Sequence, residues 1–407
     1  MTCAKPEMEL LAACARTVVE ADARPHIAAL AAQVLDWDRL RGTAQDHGLV
    51  PLLHRTLSGV CPDAVPAAAL ERMAADCRAN AAHSLRLTAE LLRLLDLLDE
   101  HRIPAVPFKG PTLAALAYGN IALRQFGDLD ILIDPPDFAR ARALLRGQGY
   151  RCAFDLTPAQ ERAQVRRARQ LPMVRGEGDG ALTVELHTGL LGKTFPARID
   201  REALRRRLRA VPLLGRQVPT FCPEDMVVLL CMHGGKHRWS CLGWLSDVAE
   251  LLRTTPCLHW DEITARAAAA HALRALHLGL LLARRLLQAP VPAHVQDAMN
   301  ADSRAVRLAE RMAESFLAGE KRGKIPADSL RYALRLRERL RDGIGHCWQA
   351  TAFPTVADWS HCRLPHGLSF LYYGVRPWRM IRKHAVAPVG RLLAALVRPG
   401  HRTAQRR

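Results

Sequence analysis

Residues 127–133 have the sequence Gly-Asp-Leu-Asp-Ile-Leu-Ile, and this alternation constrains the fold more than any other segment. On an extended strand, successive side chains point to opposite faces, so Asp128 and Asp130 share one face and the apolar residues share the other. Two carboxylates about 5 Å apart repel each other by about 3 kcal/mol at an effective dielectric constant of 20. The segment therefore predicts a strand with one face in a core and two carboxylates on the other, where a divalent cation would relieve their repulsion.

Helical patterns surround this strand on both sides. Apolar residues recur at helical spacing through residues 5–101, and the helical pattern returns from Pro223 onward. Between these regions, short apolar segments predict strands at 105–108, 129–133, 150–154 and 181–187. The sequence thus predicts an α+β fold, in which a small mixed-sheet core is flanked by N-terminal and C-terminal helical regions.

The 407 residues are long enough for two or three domains. Changes of pattern divide the chain into an N-terminal helical region at 1–101, an α+β core at 102–220, a C-terminal helical domain at 221–345 and a basic C-terminal segment at 346–407. Prolines interrupt the last segment, so we expect it to be irregular with only short helices.

A third acidic residue lies in another strand candidate. Glu185 alternates with Val184 and Leu186, which is typical of a strand in a half-buried sheet. Carboxylates on neighbouring strands can hold two Mg²⁺ ions about 3.5–4 Å apart, and Mg²⁺ prefers oxygen ligands. Asp128, Asp130 and Glu185 are therefore the candidate ligands of a two-ion magnesium site.

Five short motifs in a fixed order resemble those of a known family. They are Phe-Lys-Gly-Pro-Thr-Leu at 108–113, Tyr-Gly at 118–119, Arg124, the Asp-Leu-Asp strand and Val-Glu-Leu-His at 184–187. Their order is similar to that of the bacterial uncharacterised nucleotidyltransferase family, within the DNA polymerase β-like superfamily. Segments at 233–247 and 372–377 are similar as well, so the resemblance extends over about residues 30–385.

The resemblance implies a catalytic role for each acidic residue. Asp128 and Asp130 would be the metal-binding pair, and Glu185 would be the third carboxylate and the base for the acceptor hydroxyl. The implied enzyme is a Mg²⁺-dependent nucleotidyltransferase. It would move an NMP group from an NTP, with ATP as the expected donor, to an acceptor hydroxyl and release pyrophosphate. The acceptor (small molecule, peptide or protein) is left open, as is the oligomeric state.

The resemblance further implies that Gly110, Lys109 and Arg124 contact the nucleotide and that His187 belongs to the same site. Gly110 would lie in a turn at the start of a helix, where backbone amides face the β- and γ-phosphates. Lys109 and Arg124 would bind phosphate, the lysine as a point charge and the arginine through its bidentate fork. The alternative is that both are ordinary salt-bridge partners of the aspartates. His187 would order the third carboxylate or cap the sheet. Pro111 stands where the superfamily has Gly or Ser, which removes one amide donor.

Two other functions fit the same residues. One is a non-catalytic module that binds a nucleotide and regulates a partner, with the acidic cluster kept only for binding. The other is a nucleotidyltransferase that adds nucleotides to an RNA end, and the mild charge of the body of the chain disfavours it.

His233 and His237 lie one turn apart on the same face of a predicted helix. Such a pair can hold zinc, but no third His or Cys ligand stands out nearby in the sequence. Helix packing with Trp239 and Trp244 is the favoured interpretation, and contact with the nucleotide or acceptor is the alternative. Asp247 is expected to be a hydrogen-bond partner between helices rather than a catalytic acid.

Positive charge is concentrated at the C-terminal end. The net charge is +18, and ten Lys or Arg residues but no acidic residue follow Asp358. Aromatic residues are interleaved with these arginines, so an anionic membrane surface and RNA are candidate partners. The favoured interpretation docks the aromatics on the body and leaves a solvated terminus, and RNA is the least favoured partner.

Three features predict a cytoplasmic protein, with a location peripheral to the membrane as the alternative. Apolar stretches are much shorter than the ~20 residues that span a bilayer. The N-terminus has no apolar core of signal-peptide length. The eleven cysteines include no Cys-x-x-Cys pair, which favours free thiols in a reducing compartment.

Overall fold

The computed structural model describes residues 5–382 apart from 35, 194, 196, 320–328 and 363. The N-terminal region is helical, in agreement with its apolar periodicity. Its elements are α1 (Pro6–Cys14), α2 (Arg24–Ala31), α3 (Trp37–His47), α4 (Val50–Val60), a 3₁₀ turn (Pro62–Ala64) and α5 (Ala67–Glu100).

The central region contains the strands. Its elements are β1 (Ala105–Pro107), α6 (Gly110–Tyr118), β2 (Asp128–Ile133), α7 (Phe138–Gly147), β3 (Arg151–Cys152), α8 (Pro158–Ala168), β4 (Gln170–Arg175), a 3₁₀ turn (Gly178–Gly180), β5 (Leu182–His187), α9 (Arg201–Arg206), β6 (Arg209–Leu213) and β7 (Arg216–Thr220).

The sheet is mixed and has five strands in the order β1-β2-β5-β4-β3. β2 and β5 are parallel neighbours at its centre, and the other pairs are antiparallel. β6 and β7 form a separate hairpin. The predicted α+β class with a small mixed sheet is confirmed.

The remaining elements are helical. They are α10 (Pro223–Lys236), α11 (Leu242–Thr254), α12 (Trp260–Ala269), α13 (Leu273–Leu287), α14 (Ala293–Ala301), α15 (Ser303–Leu317), α16 (Ser329–Leu336), α17 (Leu340–Ala352), α18 (Val356–His361), a 3₁₀ turn (His366–Leu371) and α19 (Tyr372–Ile381). No helix within the described ranges is both long and apolar enough to cross a membrane.

Two hydrophobic cores hold these elements. One joins the N-terminal helices to α6 and to α10–α15, so both helical regions share it. The other lies between one face of the sheet, α7, the β6–β7 hairpin and the second half of α5. Leu129, Ile131 and Ile133 of β2 belong to this sheet core, as their alternation predicts, whereas Leu132 on the opposite face belongs to the helical core. The rest of the opposite face of β2 and β5 is left for polar side chains.

The sequence analysis did not predict five elements of the central region: α8, β4, α9, β6 and β7. α8 buries only Glu161, so it lacks the apolar periodicity that marks a helix. β4 contains Pro172 and follows directly after this polar helix. The strand predicted at 150–154 is shortened to β3, because only Arg151 and Cys152 pair with β4.

The domain boundaries at 102, 221 and 346 stay predictions. In the described part of the basic C-terminal segment, the chain forms the end of α17, then α18, a 3₁₀ turn and α19. Residues 383–407, which carry most of the predicted basic terminus, lie outside the described residues.

Trp239 fixes the end of α10, the helix that faces the polar side of the sheet. Its indole is fully buried. A Cβ added to Gly234 would overlap the indole ring, and one added to Gly279 of α13 would lie 2.8 Å from it. Glycines on two helices therefore make the space that this side chain fills.

Replacing Gly234 tests this packing. We expect Gly234→Ala to lower the free energy of unfolding by about 1–3 kcal/mol, because the new methyl group overpacks the indole. Gly42→Ala is the matched control. Its Cβ in α3 would meet nothing within 4 Å, so helix propensity predicts a gain of up to about 1 kcal/mol. Urea unfolding measures the stability of both variants. If Gly234→Ala were as stable as Gly42→Ala, the close packing of Trp239 against Gly234 would be wrong.

Candidate active site

The acidic residues meet on the polar face of the two central strands. The parallel register places Asp130 beside Glu185 and Asp128 beside Thr183. Because side chains two residues apart share a face, the two aspartates and Glu185 all point away from the sheet core. The structure thus brings together the three carboxylates that the sequence singled out.

His187 completes the cluster. Ligand atoms of Asp130, Glu185 and His187 lie within 4.8 Å of one another. Asp128 precedes Asp130 by two residues and borders the same cavity, which has a volume of about 420 Å³. Asp130 is buried, whereas Glu185 and Asp128 are partly exposed to this cavity.

Hydrogen bonds order the carboxylates. His187 Nε2 lies 2.8 Å from Asp130 Oδ1 and 3.3 Å from Glu185 Oε2. A nitrogen between two carboxylates must carry a proton, so His187 donates through Nε2. Gln170 Nε2 donates to Glu185 Oε2 at 2.7 Å, and Lys109 Nζ lies 3.3 Å from Asp130 Oδ1. His187 therefore orders both carboxylates, which is one of its two predicted roles.

The charges of the cluster shift its pKa values. Burial, together with the charges of Asp130 and Glu185, raises the pKa of Asp128 to about 6. Burial alone would raise the pKa of Asp130, but Lys109 and His187 outweigh it and lower that pKa. Burial would likewise lower the pKa of His187, but its hydrogen bonds to the carboxylates raise it. Carboxylate repulsion is thus concentrated at Asp128.

The turn between β1 and α6 approaches the strand from one side. Gly110 begins α6 at φ +53°, and a Cβ there would lie 3.1 Å from the carbonyl oxygen of Asp128. Lys109 precedes the helix in extended conformation, and its carbonyl oxygen accepts a hydrogen bond from Thr112 Oγ1. Both Lys109 and Gly110 border the cavity. Only glycine fits this close approach without strain.

Arg124 has a protein partner. Its Nε and Nη2 donate to the two carboxylate oxygens of Asp247 at 2.7 and 2.9 Å. Tyr118 Oη donates to the same carboxylate at 2.8 Å. The Arg124–Asp247 pair links the loop between α6 and β2 to α11. Because Tyr118 of α6 also bonds Asp247, the predicted role of Asp247 as a hydrogen-bond partner between helices is confirmed. Phosphate contact by Arg124 stays a prediction. The two guanidinium nitrogens that would bind a phosphate in bidentate fashion, Nε and Nη2, already bond Asp247.

Helical residues form the opposite wall of the cavity. The rings of His233 and His237 lie 4.6 Å apart, and each lies 5.3 Å from the ring of Trp244. Burial lowers the pKa of His233 and lowers that of His237 to about 4, so both rings are neutral at pH 7. The favoured packing interpretation holds for Trp239, which is fully buried, whereas both histidines and Trp244 border the cavity.

Lys236 and Gln170 were missed in the sequence. Lys236 lies on the last turn of α10 and borders the cavity, and burial followed by the charge of Lys109 lowers its pKa. It makes no ion pair with any residue in the described part of the chain. The apolar run from Met226 to Met232 was the available signal. It indicates a helix that is buried on most sides, which leaves little solvated surface for a lysine in its last turn.

Comparison with known proteins identifies the family of the chain. The family described as uncharacterised nucleotidyltransferases matches residues 33–288, which is more than half of the chain. The chain belongs to this family. The resemblance found in the five sequence motifs is thereby confirmed, and the protein is an enzyme of the nucleotidyltransferase class.

The other comparisons add little to this assignment. The chain is similar to that in the crystal structure of ANT(2")-Ia in complex with adenylyl-2"-tobramycin. The match covers 45% of the present chain and 95% of the ANT(2")-Ia chain, at 14% identity and a TM-score of 0.31. No curated protein matches the nucleotidyltransferase in sequence.

A double-mutant cycle tests the Arg124–Asp247 pair in the nucleotidyltransferase. Each single change, Arg124→Met or Asp247→Leu, leaves one buried charge unpaired, so we expect it to lower the free energy of unfolding by about 3–5 kcal/mol. The double variant should lose clearly less than the sum of the two. Chemical unfolding measures all three, and additive losses would show that the two side chains are not coupled.

Proposed function

We propose that this nucleotidyltransferase is Mg²⁺-dependent. It transfers an NMP group from an NTP, with ATP as the first donor to test, to a hydroxyl group of a small molecule, peptide or protein and releases pyrophosphate. One observation carries the proposal. Carboxylates from two parallel strands converge beside His187, with Asp128 on the same face, at the floor of a cavity of about 420 Å³.

The donor atoms fit magnesium. Asp128, Asp130 and Glu185 offer carboxylate oxygens, which are the ligands that Mg²⁺ prefers. Burial and repulsion by Asp130 and Glu185 raise the pKa of Asp128, and a bound dication would relieve the repulsion. The nitrogen of His187 that faces the cluster is engaged by Asp130, so His187 supports the carboxylates rather than adding a ligand. Mg²⁺ would neutralise triphosphate charge and help to align the reacting groups.

Two lysines and a helix N-terminus suit the triphosphate. Lys109 and Lys236 both border the cavity that contains the acidic cluster. α6 begins at Gly110, and the first backbone amides of a helix attract phosphate oxygens. Lys236 is the stronger candidate, because Lys109 is already paired with Asp130. In this proposal Lys236 binds the phosphates that leave as pyrophosphate.

Glu185 is the proposed base. Its contacts from Gln170 and His187 both use Oε2, which leaves Oε1 for a proton from the acceptor hydroxyl. The acceptor oxygen then bonds to the α-phosphorus, and the bond from that phosphorus to the pyrophosphate oxygen breaks. The wall of His233, His237 and Trp244 gives the acceptor or the nucleobase a neutral aromatic surface.

Replacement of the aspartates tests the proposal. Asp128→Asn and Asp130→Asn keep the side-chain shape but remove the charge. We expect each to lower Mg²⁺-dependent release of pyrophosphate from ATP by about a thousandfold, because metal stabilisation of the transition state is worth several kcal/mol. The measurement uses a panel of hydroxyl acceptors. Asp22→Asn, at an exposed position between α1 and α2, is the control and should keep full activity. Full activity in both site variants would reject the catalytic assignment.

Binding measurements separate this function from the two alternatives. Calorimetry with a non-hydrolysable ATP analogue, beside turnover on the acceptor panel, identifies a regulatory module by tight binding without turnover. Strongly salt-dependent binding of RNA, with extension of its end, would indicate the RNA-directed enzyme. Cytoplasmic location also belongs to the proposal, and cell fractionation tests it.

Lys236 gives a prediction that needs no acceptor. We expect Lys236→Met to weaken binding of the ATP analogue by about 10- to 100-fold, since a hydrogen bond to a charged group is worth about 1.5–3 kcal/mol. Lys193→Met is the matched control, because Lys193 is exposed and lies outside the cavity lining. Calorimetry measures both, and equal affinities would remove Lys236 from the phosphate site.

A further inference from the structure

Exposed apolar side chains are concentrated in the C-terminal helices. Thirteen large hydrophobic residues are exposed in the described part of the chain, and eight of them lie within residues 340–378. Soluble monomers rarely expose apolar residues in such clusters, and clusters of this kind mark interaction sites. This segment therefore differs from the rest of the surface.

α17 carries a continuous stripe of them. Leu340, Ile344 and Trp348 are 80%, 62% and 63% exposed and are spaced four residues apart, so they lie along one side of the helix. Gly343 is buried against Leu334 on α16. α17 thus packs through a different side and leaves the stripe without a partner among the described residues.

A second group comes from the 3₁₀ turn and α19. Phe370, Tyr373 and Trp378 are all more than half exposed. Tyr372, between them in sequence, is buried, and its hydroxyl bonds the backbone of Cys362 and Leu364. The fold buries one tyrosine and leaves its aromatic neighbours outside. We call Leu340, Ile344, Trp348, Phe370, Tyr373 and Trp378 the C-terminal apolar surface.

The segment that carries this surface has a large excess of positive charge. Asp358, the last acidic residue of the chain, is buried and paired with Arg376 and Arg379. Arg341 is exposed at the start of α17 and is paired with Asp342 at 3.9 Å. Six further Lys and Arg residues follow in the sequence at 383–407. Residues 340–407 contain eleven Lys and Arg residues but only two acidic residues. An apolar surface in a segment with this excess of positive charge suits a partner that is apolar inside and anionic outside.

We propose that the C-terminal apolar surface docks the enzyme on an anionic lipid bilayer. Leucine, phenylalanine and tryptophan enter the acyl boundary, and arginine binds lipid phosphates. Exposed tryptophan and tyrosine favour this depth, because their rings prefer the membrane interface. A second copy fits poorly, since a symmetric contact would bring two strongly basic ends together.

Vesicle sedimentation of the full-length protein tests the proposal without any acceptor or nucleotide. Parent protein is mixed with vesicles of phosphatidylcholine alone or with 30 mol% phosphatidylglycerol. We expect partitioning to be at least tenfold stronger on the anionic vesicles and to weaken at least tenfold between 0.1 and 0.5 M NaCl. The triple variant Leu340→Ser, Ile344→Ser, Trp348→Ser should lose at least tenfold in partitioning.

A matched triple variant controls for lost surface hydrophobicity. Val18→Ser, Leu85→Ser and Leu214→Ser remove three exposed apolar residues elsewhere and should leave partitioning within twofold of the parent. Circular dichroism and thermal unfolding confirm that both triples are folded. Absent binding to anionic vesicles, or equal losses in the two triples, would overturn the proposal. So would a parent dimer that the first triple converts to a monomer with vesicle binding unchanged, or a parent that binds single-stranded RNA but no vesicles. None of these outcomes bears on nucleotidyl transfer.

Discussion

The charge balance around Asp130 is the interaction on which the site depends. This carboxylate is buried, and it stays ionised because Lys109 and His187 both contact the same oxygen. Burial and the charges of Asp130 and Glu185 raise the pKa of the neighbouring Asp128. The cluster therefore joins one carboxylate that is held by a lysine and a histidine to a second carboxylate that its neighbours repel. In the proposed function, a divalent cation that arrives with the nucleotide relieves this repulsion.

The fold supplies this balance from three directions. Strands bring the carboxylates, the β1–α6 turn brings Lys109, and the end of α10 brings Lys236 and the histidine rings. Gln45 and Asp46 of α3 also border the cavity, so the N-terminal helices contribute to its rim. Because both helical regions share one core with α6, the cavity is a product of the whole assembly rather than of the strands alone.

Local patterns determined how much could be predicted. The alternation in β2 and β5 gave the sheet face of Asp128, Asp130 and Glu185, because strand periodicity is a property of neighbouring residues. The roles of Lys236 and Arg124 depend on which helix crosses the cavity, and no local pattern contains that information. α8 was missed because it is polar on nearly every side, and its single buried residue is Glu161, held by Arg142 and Arg146.

The length of α5 has a mechanical consequence. It has 34 residues, about 51 Å at the usual rise, and it is one uninterrupted rod. Met73 in its first half lies in the helical core, whereas Leu91 and Leu98 lie in the sheet core. If either core lost its order, the half of α5 that packs there would be released. The other half would then be held less firmly, and its buried leucines would become exposed. The two halves of the molecule are therefore expected to melt as a single cooperative body rather than one after the other.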